Sequence, residues 1–321
     1  MLTPDQLSQY LAAREGVGYG LLARTRIALS GRDRVTMLHK FCTQDVLGRA
    51  IGQGSEAFIC NVQGKIVGYV YFFLGDELLL LDTAPGQAEK VINHLDRYVI
   101  REDVQFHDLT AEQQVVLVTG PQAAALLQSL TGAAPPSDMY GFRAAQIGEI
   151  DIRIEHVPYC IADTYFVSGR AADQENILSQ LNAAGGVRAD DAVIESLRLE
   201  AGTPLYGVDI SVENLPQEIA RDTQAINFKK GCYLGQETVA RIDALGHVNK
   251  LLSLVKFPAS AAIPVGTELL AGDKVVGRVT SAAWSPQHQA MLALGYVRRE
   301  LAKRGTRVES SAGPGEIVTI G

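Results

Sequence analysis

Phe228-Lys229-Lys230-Gly231-Cys232-Tyr233-Leu234-Gly235-Gln236-Glu237-Thr238-Val239-Ala240-Arg241 is the densest run of chemistry in the 321-residue chain. Two lysines stand beside a thiol, two glycines bracket it, and Glu237 and Arg241 follow four apart. A thiol becomes a nucleophile or soft-metal ligand when its thiolate is stabilised by nearby cations or a helix N-terminus. Lys229 and Lys230 supply the cations, a helix starting near Gln236 would supply the dipole, and Gly231 and Gly235 let the backbone turn sharply. The plainer reading makes Cys232 a small buried hydrophobe, as free cysteines usually are. Glu237 and Arg241 would then be an exposed helical pair worth roughly a few tenths of a kcal/mol. A cysteine hydrolase would also need a histidine base against the thiol, and His247 is the nearest in sequence.

Upstream, residues 190–201 read as a helix with Val193 and Leu197 on its buried side and Gly202 as a stop signal. Glu200 ends that helix, where the helix dipole disfavours a negative charge, so it is either a solvated helix end or a carboxylate kept for a ligand. The weakly periodic segment 203–228 is long enough to be a functional loop. Before residue 190 an architectural pattern occurs twice. Residues 27–31 read as a strand ending in glycine, 32–41 as a helix, 56–62, 65–74 and 77–82 as strands, and 86–99 as a helix. About 85 residues later come a strand at 115–120, a helix at 123–130, strands at 143–147, 150–157 and 164–168, and a helix at 172–182. Each unit resembles a split β-α-β sandwich, and the repetition indicates a duplication of architecture. After residue 250 the texture changes to short alternating strands at 251–257, 268–270, 274–284, 289–296, 306–309 and 316–320, as in a small antiparallel barrel. Residues 5–15 read as a short helix. The Gly16-Val17-Gly18-Tyr19-Gly20 run lacks a preceding strand and the third glycine of a dinucleotide fingerprint.

The bulk numbers restrict function further. A net charge of −7 argues against broad nucleic-acid or anionic-membrane binding. No basic run followed by an apolar core opens the chain, and the longest apolar stretch, 69–81, is broken by Gly75-Asp76-Glu77; a cytoplasmic protein is expected. Cys42, Cys60, Cys160 and Cys232 are far apart and the six histidines are scattered, so neither a disulfide framework nor an intrinsic metal site is expected. A cluster held between two chains, or transiently by one thiol, stays open.

Two stretches carry a family resemblance. Leu197-Arg198-Leu199-Glu200-Ala201-Gly202-Thr203-Pro204-Leu205-Tyr206-Gly207 resembles the folate-binding segment of the glycine-cleavage T-protein (aminomethyltransferase) superfamily. Lys230-Gly231-Cys232-Tyr233-Leu234-Gly235-Gln236-Glu237, with Arg241, is similar to the signature of its YgfZ-type branch. That branch includes folate-binding proteins of iron–sulfur cluster assembly or repair, with indirect effects on tRNA thiolation. Residues 31–46, including Thr43-Gln44-Asp45-Val46, resemble the early strand–helix unit, Asn61-Val62-Gln63-Gly64 the central turn, and the residues after 250 the terminal barrel.

The resemblance implies an α+β protein of two ferredoxin-like units plus a C-terminal antiparallel β-barrel, three domains around a central channel holding tetrahydrofolate. The expected division is 1–110 with 190–249, 111–189, and 250–321. Glu200 would hold the pteridine, with Lys229, Lys230 and Tyr206 as further folate contacts, and Cys232 would be the functional thiol, able to ligate a cluster transiently. Partners would be folate and iron–sulfur assembly proteins or client enzymes, with the chain a monomer. One departure stands out. Where active aminomethyltransferases carry an Asp-Asp pair, this chain has Gly68 and Tyr69, which favours folate binding over aminomethyl transfer and leaves catalysis open. The alternative is a tetrahydrofolate-dependent aminomethyl- or one-carbon transferase, and a third reading is a non-catalytic folate sensor.

Overall fold

The strand Ile66–Leu74 is buried along all nine of its residues, which explains why it reads as an unbroken apolar run: both of its faces are covered. In the computed structural model, which describes residues 1–318 apart from the Leu245 side chain, alternate residues of this strand serve two cores. Val70, Phe72 and Leu74 pack with Met37 and Leu38 of the helix Arg34–Phe41 and with Val91 and Leu95 of the helix Ala88–Asp96. Tyr69, Tyr71 and Phe73 face the other way, into a core shared with a second sheet.

The first sheet is antiparallel, in the order Gly54–Cys60, Ile66–Leu74, Leu79–Thr83, Thr25–Ser30, Gln105–Asp108. The second runs Val187–Arg188, Gly18–Leu22, Gln113–Thr119, Thr164–Arg170, Ile150–His156, Phe142–Ile147. Helices Ala123–Thr131 and Gln174–Ala183 cover the outer face of the second sheet, while Val115, Leu117 and Phe166 turn inward against the first. The duplicated order of elements is therefore present as two sheets packed face to face with helices outside.

One strand falls outside the expected division. Gly18–Leu22, placed by sequence within the 1–110 unit, pairs antiparallel with Gln113–Thr119 and belongs to the second sheet. Its glycines have a packing reason. A Cβ at Gly18 would lie 2.5 Å from the Ala13 Cβ, and one at Gly20 would lie 2.6 Å from Ile194 Cδ1. The run thus lets the strand pass beneath helices Pro4–Glu15 and Asp191–Glu200.

Strands Lys250–Phe257, Glu268–Ala271, Lys274–Ser285, Ala290–Arg298, Arg307–Val308 and Gly315–Val318 form the third sheet. A bridge between Leu270 and Glu309 joins its ends into a nearly closed barrel around Val255, Phe257, Leu269 and Ile317. Residues 319 and 320 of the expected last strand lie outside the described residues. The 203–228 segment is more ordered than its weak periodicity suggests. It contains the 3-10 turn Pro216–Ile219 and the short helix Asp222–Ala225, and it buries Asn214, Gln217, Glu218 and Arg221.

Candidate functional site

The Cys232 loop is built on the end of the helix Arg34–Phe41. Lys230 Nζ donates to the carbonyl oxygens of His39, Cys42 and Gln44 at 2.6, 2.8 and 2.9 Å, tying the last turn of that helix to the residues that follow it. Burial pushes the Lys230 pKa down, against the opposing pull of the neighbouring Cys42, Asp45 and Cys60 groups. Its ammonium also lies 4.9 Å from the Tyr233 ring centroid, and Leu234 N donates to Lys40 O at 2.9 Å. Lys230 is thus engaged with protein backbone, while Lys229 is exposed.

Gly235 closes the loop with φ +82°, and a Cβ there would sit 2.4 Å from Asn61 O and 2.8 Å from Gly64 Cα. Gly64 in turn has φ +75° and would place a Cβ 2.7 Å from Thr238 Cβ. The Asn61–Gly64 turn and the cysteine motif therefore meet glycine against glycine. Gly231 has no such need, since a Cβ there meets nothing within 4 Å. Cys232 itself is exposed, whereas Cys42, Cys60 and Cys160 are buried, and burial pushes their thiols up, Cys160 to about 12. The thiol is therefore presented to solvent just before the helix Gln236–Leu245. His247 lies beyond the far end of that ten-residue helix, about 15 Å along its axis, so no histidine base is supplied from there. Glu237 and Arg241 are both exposed, and among the described residues no ion pair joins them.

Glu200 lies elsewhere, between the N-terminal helix and the barrel. It is 7% exposed, and its oxygens accept from Tyr10 Oη at 2.7 and 2.9 Å and from Ser285 Oγ at 2.5 Å. These hydroxyls compensate a carboxylate that the helix end disfavours. Tyr206 is buried, donating to Ile66 O at 3.2 Å and bonded to Lys90, whose ammonium lies 4.5 Å from its ring. Burial pushes the Tyr206 hydroxyl up to about 12.

Between the two sheets sit charged residues that spacing did not single out. Arg221 Nε and Nη2 grip Glu56 at 2.9–3.1 Å, and Tyr69 Oη donates to the same carboxylate at 2.5 Å. Arg26 donates to Asp82 at 2.9 Å and to Glu155 of the second sheet at 2.5 and 3.0 Å; Arg24 also holds Asp82. The available signal was a charge at an inward register position of an otherwise apolar strand, since such residues are rarely buried unless paired. Of the two positions where a carboxylate pair is absent, only Tyr69 faces this centre. A Cβ at Gly68 would lie 3.2 Å from Val91, on the helix side. A cavity of about 10 Å³ there is lined by Arg24, Tyr69, Tyr71, Tyr159, Pro204 and Tyr206, room for about one water. Among the described residues no group of three or more His, Cys, Asp or Glu side chains converges to hold a metal ion, so the structure lends the expected cluster ligation by Cys232 no support. No helix there is long and apolar enough to cross a membrane.

Two sheets packed face to face with helices outside, a barrel docked through the helix that carries Glu200, and an aromatic, ion-paired centre between the sheets make up the architecture. Residues 8–230 match the GCVT N-terminal domain and residues 250–319 the glycine cleavage T-protein C-terminal barrel domain, and the chain belongs to this family. It is 26% identical to an aminomethyltransferase of Thermus thermophilus, over 96% of this chain and 89% of that one. It is 27% identical to an aminomethyltransferase of Herpetosiphon aurantiacus, over 94% and 84%. A putative chloroplastic transferase of Arabidopsis thaliana is 24% identical, over 88% of this chain and 65% of that protein. The crystal structure of the glycine cleavage system aminomethyltransferase T from Bartonella henselae superposes with a TM-score of 0.86 at 21% identity, covering 98% of this chain and 88% of that one, and shares the fold.

Proposed function

We propose that this chain is a tetrahydrofolate-dependent protein of one-carbon chemistry, of the aminomethyltransferase type. The observation that carries the reading is that both family domains match and that relatives named aminomethyltransferase align over nearly the whole chain. The buried Glu200 carboxylate supports it, because a carboxylate accepts the paired N–H groups of a pterin ring. Glu200 lines a cleft of about 1000 Å³ beside the barrel, with Leu254, Phe257 and His288, large enough for such a ring, whereas the aromatic, ion-paired centre between the sheets has a cavity of about 10 Å³ and is not. A ring bound in that centre itself would require it to open. The test is anaerobic titration of tetrahydrofolate into wild type, Glu200→Ala and Cys232→Ala. Binding lost in Glu200→Ala alone supports the assignment, and equal binding in all three removes Glu200 from it. Formation of methylenetetrahydrofolate from an aminomethyl-lipoyl carrier supports transfer, and folate binding without turnover overturns that part.

A second reading is favoured by a specific pair of observations, the exposed Cys232 on its braced loop and Tyr69 in place of an inward carboxylate. On that reading the chain is a YgfZ-type folate-binding factor for iron–sulfur cluster assembly or repair, meeting assembly proteins or client enzymes through the thiol. Cys232→Ala should then fail to restore cluster-enzyme activity in a deletion strain, and full rescue would rule the thiol out.

A further inference from the structure

A separate cleft of about 810 Å³ lies where the 3-10 turn Pro216–Ile219 packs against the barrel strand Lys250–Phe257. It shares no lining residue with the cleft beside Glu200. Glu218, from that turn, lines it and is 7% exposed. Its Oε2 accepts from Asn214 Nδ2 at 2.9 Å and from Leu215 N at 3.3 Å, which fixes the carboxylate in place. Among the described residues Oε1 receives no hydrogen bond. Buried polar groups are normally paired, so a fixed carboxylate with one oxygen unfilled beside a roomy cleft is an acceptor waiting for a donor from outside.

The same cleft carries cations that the fold does not neutralise. Lys250 opens one barrel strand, Arg298 ends the next, and the two are direct cross-strand partners. Like charges directly opposite each other destabilise a sheet. Lys250 Nζ stands 3.7 Å from Glu218 Oε2 and 4.6 Å from the Tyr296 ring centroid. Arg298 is exposed and has no ion pair among the described residues, whereas Arg278, also on the cleft, is held by Glu268 at 2.9 Å. Tyr296 Oη donates to Asp209 O at 2.8 Å, which sets its ring as an apolar wall with Val276.

We propose that this cleft binds an α-amino acid as its zwitterion. The ammonium meets Glu218 Oε1, the carboxylate lies between Lys250 and Arg298, and an apolar side chain rests on Tyr296 and Val276. A simple amine would leave the two facing cations unrelieved, and a simple anion would meet the Glu218 charge. An α-amino acid carries its two charged groups on one carbon, which matches a carboxylate and an ammonium held 3.7 Å apart. The site stands apart from Glu200 and does not depend on the folate reading.

The test is thermal denaturation of the full-length protein with each neutral L-amino acid in turn, followed by calorimetric titration of the one that raises the melting temperature most. That amino acid should bind one to one. Its amide, which keeps only the ammonium, and its deaminated acid, which keeps only the carboxylate, should each bind at least tenfold more weakly. Glu218→Gln and Arg298→Gln should each weaken binding at least fivefold; Arg298 is exposed, so its variant decides the matter should Glu218→Gln not fold. The proposal is overturned if no amino acid shifts the melting temperature, if either half-analogue binds as well as the parent, or if Arg298→Gln binds like wild type.

Discussion

At Gly235 the backbone is left-handed and a Cβ would press on the Asn61 carbonyl, whereas at Gly231 a Cβ meets open space. Gly235→Ala is therefore expected to cost about 2–3 kcal/mol in urea unfolding, and Gly231→Ala less than about 0.5. The sequence suggests the same role for both glycines, because spacing does not reveal what a backbone must pass. Asp222 gives a pH-dependent case. Burial first, and then the Asp243 charge, push its carboxyl up to about 6, and its Oδ1 is buried without a hydrogen-bond partner. A raised carboxyl binds its proton more tightly in the folded chain. Its contribution therefore favours the fold at low pH and is lost as pH rises from the ordinary carboxylate range through about 6. Asp222→Asn should stabilise the protein at pH 7 by about 1 kcal/mol, discounted for partial exposure, and have little effect at pH 4; a gain as large at pH 4 would refute it. Of the four cysteines, Cys232 should react rapidly with a thiol reagent in the folded protein while Cys42, Cys60 and Cys160 react only after unfolding.

Among elements, strands are the most legible part of this chain, because inward and outward residues alternate wherever a sheet separates two cores. Ile27, Leu29, Leu79 and Leu81 face helices, while Ala28 and Leu80 face the opposite sheet. Gly18–Leu22 is not legible in that way, since its pattern is set by helices packed from 170 residues away in sequence as well as from beside it. The charged pairs between the sheets are equally hidden, because each partner is unremarkable until the other is placed. Arg26 and Glu155 join the two sheets with both side chains fully buried. Glu155→Ala should cost about 3–5 kcal/mol by leaving a buried guanidinium short of a partner, and the double change with Arg26→Met should be milder than the single one. Lys230 acts at the same scale, as the cap of the helix Arg34–Phe41. Lys230→Met should lower stability by about 1–3 kcal/mol, measured by denaturant midpoint.

Across the whole molecule, Asp209 ties the parts together. It accepts from Arg198 at 3.0 Å and from Leu205 N at 2.9 Å on one oxygen, and from Thr280 and Ser281 of the barrel at 2.6 and 2.7 Å on the other. Asp209→Ala should loosen the barrel, seen in calorimetry as a separate transition below the main one. The three-part plan was legible because glycine-punctuated short strands after residue 250 contrast with the helix-bearing units before it. Glu200 was legible as an isolated carboxylate at a helix end, but its partners Tyr10 and Ser285 come from opposite ends of the chain. The strand Gly18–Leu22 has one more consequence, during synthesis. It leaves the ribosome early, yet its hydrogen-bonding neighbours 113–119 and 187–188 follow about 95 and 170 residues later. The first sheet holds all five of its strands once residue 108 has emerged, so the nascent chain can close one half while its own leading strand waits, unpaired, for the other.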